Sequence, residues 1–368
     1  MRKTDDQSFC IFPQNFANMT KYFLIVLALI SFVSVDAQDA NFSQFYIASS
    51  YYNPAFAGAF DGKYRVRLIN RGQWFANNNT SLRTFGILGD LKFSLKPVDF
   101  ASDYFGIGIY FLSDKARALD IVTNEASVTV SYHKILDKKN ENAISGGLSL
   151  GVSQRGLNYD QFYFEDQFDG IGNYNRPSKE VLPPNISALP DLKLGVQYNT
   201  KLNSKFRLQT GLSTHYTLIP NSSYYKNFDD VDYFGDKNSF AALKLNLISN
   251  FTYNITSLRA LYPRLLYTYQ GAHQLAVIGM NYRHGFYNLK QTAVHAGASL
   301  RTAKPGNAYA PIDLSLLTGF EMKNFVIGMS YDFGLRDVIS YGRPSHSFEI
   351  SITLLGDYDD GGFICPEF

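Results

Sequence analysis

The sequence predicts an all-β fold: a transmembrane antiparallel up-and-down β-barrel of about fourteen strands, a single domain behind a cleaved leader. Three observations predict it. Segments of roughly ten residues alternate apolar with small or polar side chains through most of the chain. The chain holds 26 Tyr, 30 Phe and 28 Gly with only 18% charged residues, yet its mean hydropathy is −0.15. Beyond the leader no apolar run approaches the roughly 18 residues of a membrane-spanning helix, which excludes a helical membrane protein.

The leader is Met19 to Gln38, MTKYFLIVLALISFVSVDAQ. Lys21 precedes an apolar run from Tyr22 to Val33, and Val35-Asp36-Ala37 closes it with small residues around a cleavage point. This is the pattern of a secretory signal, so the mature chain is expected to begin at Gln38 and translation at Met19. The expected organisation is 1–37 signal peptide, 38–62 periplasmic or plug-like segment, 63–355 barrel and 356–368 periplasmic tail. No Cys stands at the first mature position, so a lipoprotein is not expected. Removing residues 1–37 takes three basic and three acidic residues from totals of 34 and 32, leaving the net charge at +2. Such balance gives no electrostatic reason to expect nucleic acid. Cys365 is then the one remaining cysteine, so no intramolecular disulfide forms.

Taken in order, the strands read as two-faced ribbons. The first is expected over Tyr64 to Trp74. Phe105, Ile107, Ile109 and Phe111 alternate with Tyr104, Gly106, Gly108 and Tyr110; Val128, Val130 and Tyr132 with Ser127, Thr129, Ser131 and His133. Leu148, Leu150 and Val152 alternate with Ser145, Gly147, Ser149 and Gly151, and Leu192 to Tyr198 and Leu243 to Tyr253 continue the pattern. Phe325 to Phe333 and Phe348 to Leu354 close it. Such alternation fits a soluble sandwich as well as a barrel. Tyr and Phe at the ends of many apolar faces favour the interfacial girdles of a barrel. Connection lengths agree: 137–142, 200–205 and 321–324 are short and polar, whereas 154–189, 218–239 and 335–345 are long. With the first strand running outward, all short turns are periplasmic, all long loops external, and both termini periplasmic. Strand edges between 258 and 310 are not resolved by the pattern.

No metal site, cofactor or catalytic group is expected. The six histidines form no H-x-x-x-H or H-E-x-x-H spacing, and no Gly-rich phosphate loop or G-x-S-x-G elbow occurs. Ser131 and His133, two apart on the polar face of one strand, read as lumen residues rather than an outer-wall hydrolase dyad. Asp357 to Gly362, DYDDGG, lacks the glutamate of a calcium loop and reads as a solvated acidic tail. Two outer loops are both aromatic and acidic. They place Tyr163, Phe164 and Phe168, and Tyr224, Tyr225, Phe228 and Tyr233, either in a cap over the barrel mouth or at a partner-binding surface.

The segment Gln38 to Gly58 reads QDANFSQFYIASSYYNPAFAG, followed by Arg71-Gly72-Gln73-Trp74. It resembles the PorP/SprF family of Bacteroidota in Phe42, Gln44, Phe45 and Tyr46, in Asn53, Pro54, Phe56 and Gly58, and in Arg71, Gln73 and Trp74. Ser330-Tyr331-Asp332, Phe348-Glu349-Ile350-Ser351 and Cys365-Pro366-Glu367-Phe368 resemble its far end. The resemblance implies a non-enzymatic outer-membrane barrel of the type IX secretion and gliding-motility machinery. Its implied partners are secretion components and a secreted adhesin whose export or surface attachment it assists. Physically, Asn53-Pro54 marks a turn, since Pro fixes φ and Gly58 frees the chain. The aromatic residues before it are expected to enter the lumen as a plug or to lie along the periplasmic rim. Trp74 is expected at the lipid interface. Other function classes are a porin or hydrophobic-solute transporter, a glycan binder using the aromatic loops, and an outer-membrane hydrolase. The lumen face reads as Gly, Ser, Thr and Asn without concentrated charge.

Overall fold

The computed structural model describes residues 41–74, 81–94, 103–117, 120–137, 141–180, 182, 184–224, 239–287, 289, 291–304, 308–336 and 345–356. The leader, the tail beyond Gly356, and Tyr225, Phe228 and Tyr233 lie outside them.

Fourteen antiparallel strands close into one barrel, each paired with its sequence neighbours and β1 with β14. They are β1 (Tyr64–Gln73), β2 (Leu82–Ser94), β3 (Tyr104–Ala116), β4 (Ile121–Ile135), β5 (Asn142–Leu157), β6 (Ile186–Lys201) and β7 (Phe206–His215). The ring continues with β8 (Lys244–Asn254), β9 (Arg259–Gln270), β10 (His273–Gly285), β11 (Thr292–Ala303), β12 (Ala310–Met322), β13 (Phe325–Gly334) and β14 (His346–Gly356). Closure leaves no edge strand, so the backbone groups of the wall pair around the ring, as a hydrocarbon surrounding demands.

The expected faces hold. In β4, Val128, Val130 and Tyr132 are exposed outward while Ser127, Thr129, Ser131 and His133 are buried inward. In β5, Ile144, Leu148, Leu150 and Val152 face out, and in β14 Phe348, Ile350 and Leu354 do. Three strands, β9 to β11, fill the stretch between 258 and 310 that the alternation left open, and β12 begins at its end.

Tyr64 pairs with Gly356, so the chain enters and leaves the wall at one rim, here the near rim. Connections 136–141, 202–205, 255–258, 286–291 and 323–324 turn there, and 158–185, 216–243 and 335–345 cross the far rim. The phase of long and short connections therefore holds, but two edges move. β5 runs on to Leu157 and β6 begins at Ile186, because the alternation continues through Ser153 and Leu189 on the inner face. The second long loop starts earlier, at Tyr216, whose φ of 55° breaks the extended backbone. The far rim also holds a two-residue turn, Gly271-Ala272, with Gly271 at φ 54°.

Candidate functional site

The lumen is not an open bore. Residues 41–58 lie inside the ring, with a single helical turn, α1 (Ser49–Tyr52), and a 3-10 turn over Pro54–Phe56. Phe42, Phe45, Tyr51, Tyr52 and Phe56 form an apolar cluster with inward residues of the wall: Ile69, Leu88, Tyr110, Leu112, Ile248, Leu266 and Val277. Tyr51 meets Tyr52 and Tyr110 edge-on at 5.0 and 5.4 Å, the geometry aromatic quadrupoles favour. Burial pushes the Tyr46 and Tyr52 phenols up, so both stay protonated.

Polar contacts pin this segment to every side of the wall. At its start, the Ser43 and Gln44 amides donate to the two carboxylate oxygens of Glu349 at 2.9 and 2.8 Å. Ser351 Oγ donates to Gln44 Oε1. Arg71 reaches Glu349 Oε2 at 3.0 Å and Asp332 Oδ2 at 2.6 Å, and donates to Ser43 Oγ, as does Arg301. The N-terminal motif thus docks on the residues that resemble the family's far end, through one desolvated ion network. A second network holds α1: Arg67 donates to Ile47 O, Ser49 Oγ and Ser50 Oγ and pairs with Asp90 at 2.7 Å.

Asn53 fixes the turn twice over. Its Oδ1 accepts from Ala55 N at 2.9 Å, while its Nδ2 donates to the Val196 and Leu212 carbonyls of β6 and β7 at 3.1 and 3.2 Å. Such an approach to wall backbone needs wall positions without side chains. A Cβ at Gly195 or Gly211 would run into Asn53, one at Gly147 into the Pro54–Ala55 backbone, and one at Gly106 into Ala57 O. From the other side, Gly58 sits at φ 73°, where any Cβ would stand 2.7 Å from Gly106 Cα. Gly-x-Gly in these strands is a seat, not only a device for curvature.

The carbonyls that the turns leave unpaired are capped by buried histidines. Ala57 O accepts from Ser131 Oγ at 2.7 Å and from His133 Nε2 at 2.8 Å. A carbonyl only accepts, so His133 carries its proton on Nε2, and Nδ1 accepts from Ser145 at 2.7 Å. With its proton on the nitrogen facing Ser131, 3.0 Å away, this imidazole is no base toward that hydroxyl. The pair lies on the inner wall, buried under Ala57. Tyr52 O is capped likewise by Ser213, His215 and Asn246. Tyr46 receives Asn281 on its hydroxyl at 3.1 Å and the Arg264 guanidinium over its ring at 3.6 Å.

Sequence reasoning named Phe42, Gln44, Phe45, Tyr46, Asn53, Pro54, Phe56, Gly58 and Arg71, and these converge in the lumen. Gln73 is half-buried at the inward register of β1, and Trp74 stands beyond the strand at φ 53°, its amide donating to His346 O. The expectation of a lumen face without concentrated charge is corrected. Arg65, Arg67, Arg71, Asp90, Lys193, Arg301, Glu321, Asp332 and Glu349 all point inward, most of them ion-paired. The two-residue spacing of Arg65, Arg67 and Arg71 in β1 carried that signal.

At the far rim, the loop 158–185 holds Tyr163, Phe164 and Phe168. Tyr163 and Phe168 pack their rings against Tyr174 at 5.3 and 5.2 Å, yet Tyr163 is 72% exposed and Ile171 at the tip 90%. The Asp169 carboxylate accepts the amides of Ile171, Gly172 and Asn173, which shapes the tip and lowers its pKa to about 2. Tyr224, in the other long loop, is half-buried.

A family model described as type IX secretion system membrane protein PorP/SprF matches residues 34–354. No protein of curated function matches the chain. Among solved structures, a mutant of the monoaromatic hydrocarbon channel TodX is 10% identical, with a TM-score of 0.51, covering 84% of this chain and 94% of its own. The Ralstonia pickettii toluene transporter TbuX is 10% identical, with a TM-score of 0.45, covering 84% and 93%. At such identity the likeness is one of barrel fold.

Proposed function

Because the chain belongs to the PorP/SprF family of type IX secretion system membrane proteins, we propose that it is a non-enzymatic outer-membrane barrel that assists export or surface attachment of a secreted adhesin. Its first 37 residues are removed on export, the near rim faces the periplasm with both termini, and the long loops face outward. The observation that carries this reading is the occupied lumen. A barrel whose bore holds its own chain, pinned through desolvated ion networks on several strands, favours this reading over a porin, which relies on an open aqueous path. What remains for recognition is the rim, and the far-rim loop presents Tyr163, Phe168 and Ile171 on an ordered scaffold, as interface anchors are presented. Phe164 and Tyr224, both half-buried, and Tyr225, Phe228 and Tyr233 of the second loop are candidate partner contacts in the same reading. The partners are then other secretion components, the adhesin and outer-membrane lipid.

A deletion strain tests the reading. Specific adhesins vanish from the surface while permeability to small solutes stays unchanged; normal adhesin display removes the proposal. The alternative, a porin or hydrophobic-solute transporter, requires steady conductance or a lipid retained by the purified protein.

A further inference from the structure

The hydrogen-bonded wall is interrupted between β8 and β9. Their pairing runs from Lys244↔Gln270 to Asn250↔Arg264 and resumes at Tyr253↔Leu261, skipping Phe251 and Thr252. That register sets Phe251 opposite Pro263, and proline has no N–H to donate, so the rung cannot form. Proline is ordinarily kept to edge strands and bulges, and a closed ring has no edge. The neighbours of Pro263, Tyr262 and Arg264, are buried on the inner face, so its own ring stands on the lipid face.

On the inner side of the skipped pair lies a cavity of about 490 Å³, lined by Thr252 and Tyr262 and, at the near rim, by the β6–β7 and β8–β9 turns. Lys201, Lys205, Arg207, Arg259 and Arg283 bring five cations to it. Three of them have a carboxylate within 4 Å: Glu141 by Lys201 at 3.2 Å, Asp61 by Arg207 at 3.9 Å and Glu321 by Arg283 at 2.6 Å. Lys205 and Arg259, one at each of the two turns and both exposed, have none among the described residues. The same cavity has an apolar side in Phe206 and Ile255. Phe206 shares the register of the exposed Leu212, which puts it on the lipid face, and its ring lies 5.9 Å from that of Phe251. One site therefore joins two unpaired cations to the lipid-facing surface of β7 to β9.

We propose that this site binds an anionic phospholipid of the surrounding leaflet. Its phosphate lies between Lys205 and Arg259, and its acyl chains run along Phe206, Phe251 and Pro263, where the missing rung weakens the wall. Anionic headgroups are drawn to clustered Lys and Arg at a membrane surface. A lipid fits better than an acidic peptide, because the apolar side of the site belongs to the face that lipid bathes. This deepens the lipid contact named above and rests only on the barrel's seat in a membrane. No adhesin takes part in it, so the site and the adhesin role fail separately.

The test uses the full chain purified in detergent and titrated with phosphatidylglycerol or phosphatidylcholine, with bound lipid read by native mass spectrometry. Phosphatidylglycerol is expected to be retained several-fold more tightly than phosphatidylcholine. Lys205→Gln with Arg259→Gln lowers its affinity about tenfold, the scale of two surface cations facing an anionic lipid. Lys134→Gln with Lys323→Gln removes the same charge from other exposed positions of the near rim and leaves that affinity unchanged. Both double variants are checked for an intact barrel by heat-modifiable migration on gels. Phosphatidylglycerol carrying a diazirine on its acyl chain labels the peptides that hold Phe206, Phe251 and Pro263. Equal retention of the two lipids, equal loss in the two double variants, or labelling spread evenly around the ring overturns the proposal. So does displacement of the lipid by inorganic phosphate or by an aspartate-rich peptide at the lipid's own concentration, which would mark a simple anion site or a peptide site.

Discussion

Two stretches of this chain are equally rich in aromatic rings and lead opposite lives. The lumenal segment 41–58 buries Phe42 and Tyr52 completely, while the far-rim loop leaves Tyr163 and Ile171 largely in solvent. The difference lies in what each finds around it. The lumenal segment meets glycine seats, capping histidines and two ion networks on the wall, so its backbone groups are satisfied by partners far away in sequence. The far-rim loop satisfies itself: Asp169 binds the amides of its own tip, and Phe168 bridges to Tyr174. Ring content alone therefore does not distinguish a buried stopper from a presented surface; the supply of complementary wall positions does.

That contrast can be broken first where it is strongest. Arg71→Ala strands Glu349 and Asp332 in a dry site, and urea unfolding in detergent is expected to lose about 3–5 kcal/mol, the scale of a broken buried ion pair. Arg71→Lys keeps the charge but not the fork and should fall between. Next come two neighbouring glycines on opposite faces of β5. Gly147→Val collides with the Pro54–Ala55 backbone and should cost about 1–3 kcal/mol while exposing residues 42–58 to protease. Gly146→Val has open space around its Cβ and faces outward, so it should change neither. Asn53→Ala removes both bonds to the β6 and β7 carbonyls and should cost about 1–2 kcal/mol in the same unfolding assay.

On the other side of the comparison, Tyr163→Ala and Ile171→Ser should leave unfolding within about 0.5 kcal/mol. The same substitutions should release adhesin from cells, which quantitative surface labelling would detect. The smallest effect is one of pH. Asp169 is depressed to about 2 by amide hydrogen bonds, the Ile171 amide foremost, from an ordinary value of 3.8. A carboxylate stabilised in the folded loop contributes fully above 3.8 and is lost as pH falls through about 2. Amide exchange at Ile171, Gly172 and Asn173 should therefore be flat from pH 7 to 4, after correction for intrinsic rates, and rise only below.

Much of this architecture was legible beforehand for one reason: lipid on one side and a packed lumen on the other impose a two-residue period that survives in the residues themselves. The strand faces, the phase of long and short connections and the motif residues followed from it. The occupants of the lumen were harder. Asn53, Pro54 and Gly58 announced a turn, but the sequence reading did not connect Ser43 with Glu349, which meet across 306 positions. Nor did it take Arg67 or Asp332 as partners of a lumenal segment. The inward Ile69, Leu88 and Ile248 broke the polar rule for a lumen face, and that exception was itself the trace of something apolar inside. The β5 and β6 edges were misplaced because Ser153 and Leu189 both occupy inward register, a small polar and an apolar residue on the same face.

Planar-bilayer recording of the full chain tests the central claim most directly. A lumen filled by residues 41–58 predicts no steady current across the working voltage range. A stable ohmic conductance from the wild-type barrel, with the segment intact, would contradict it.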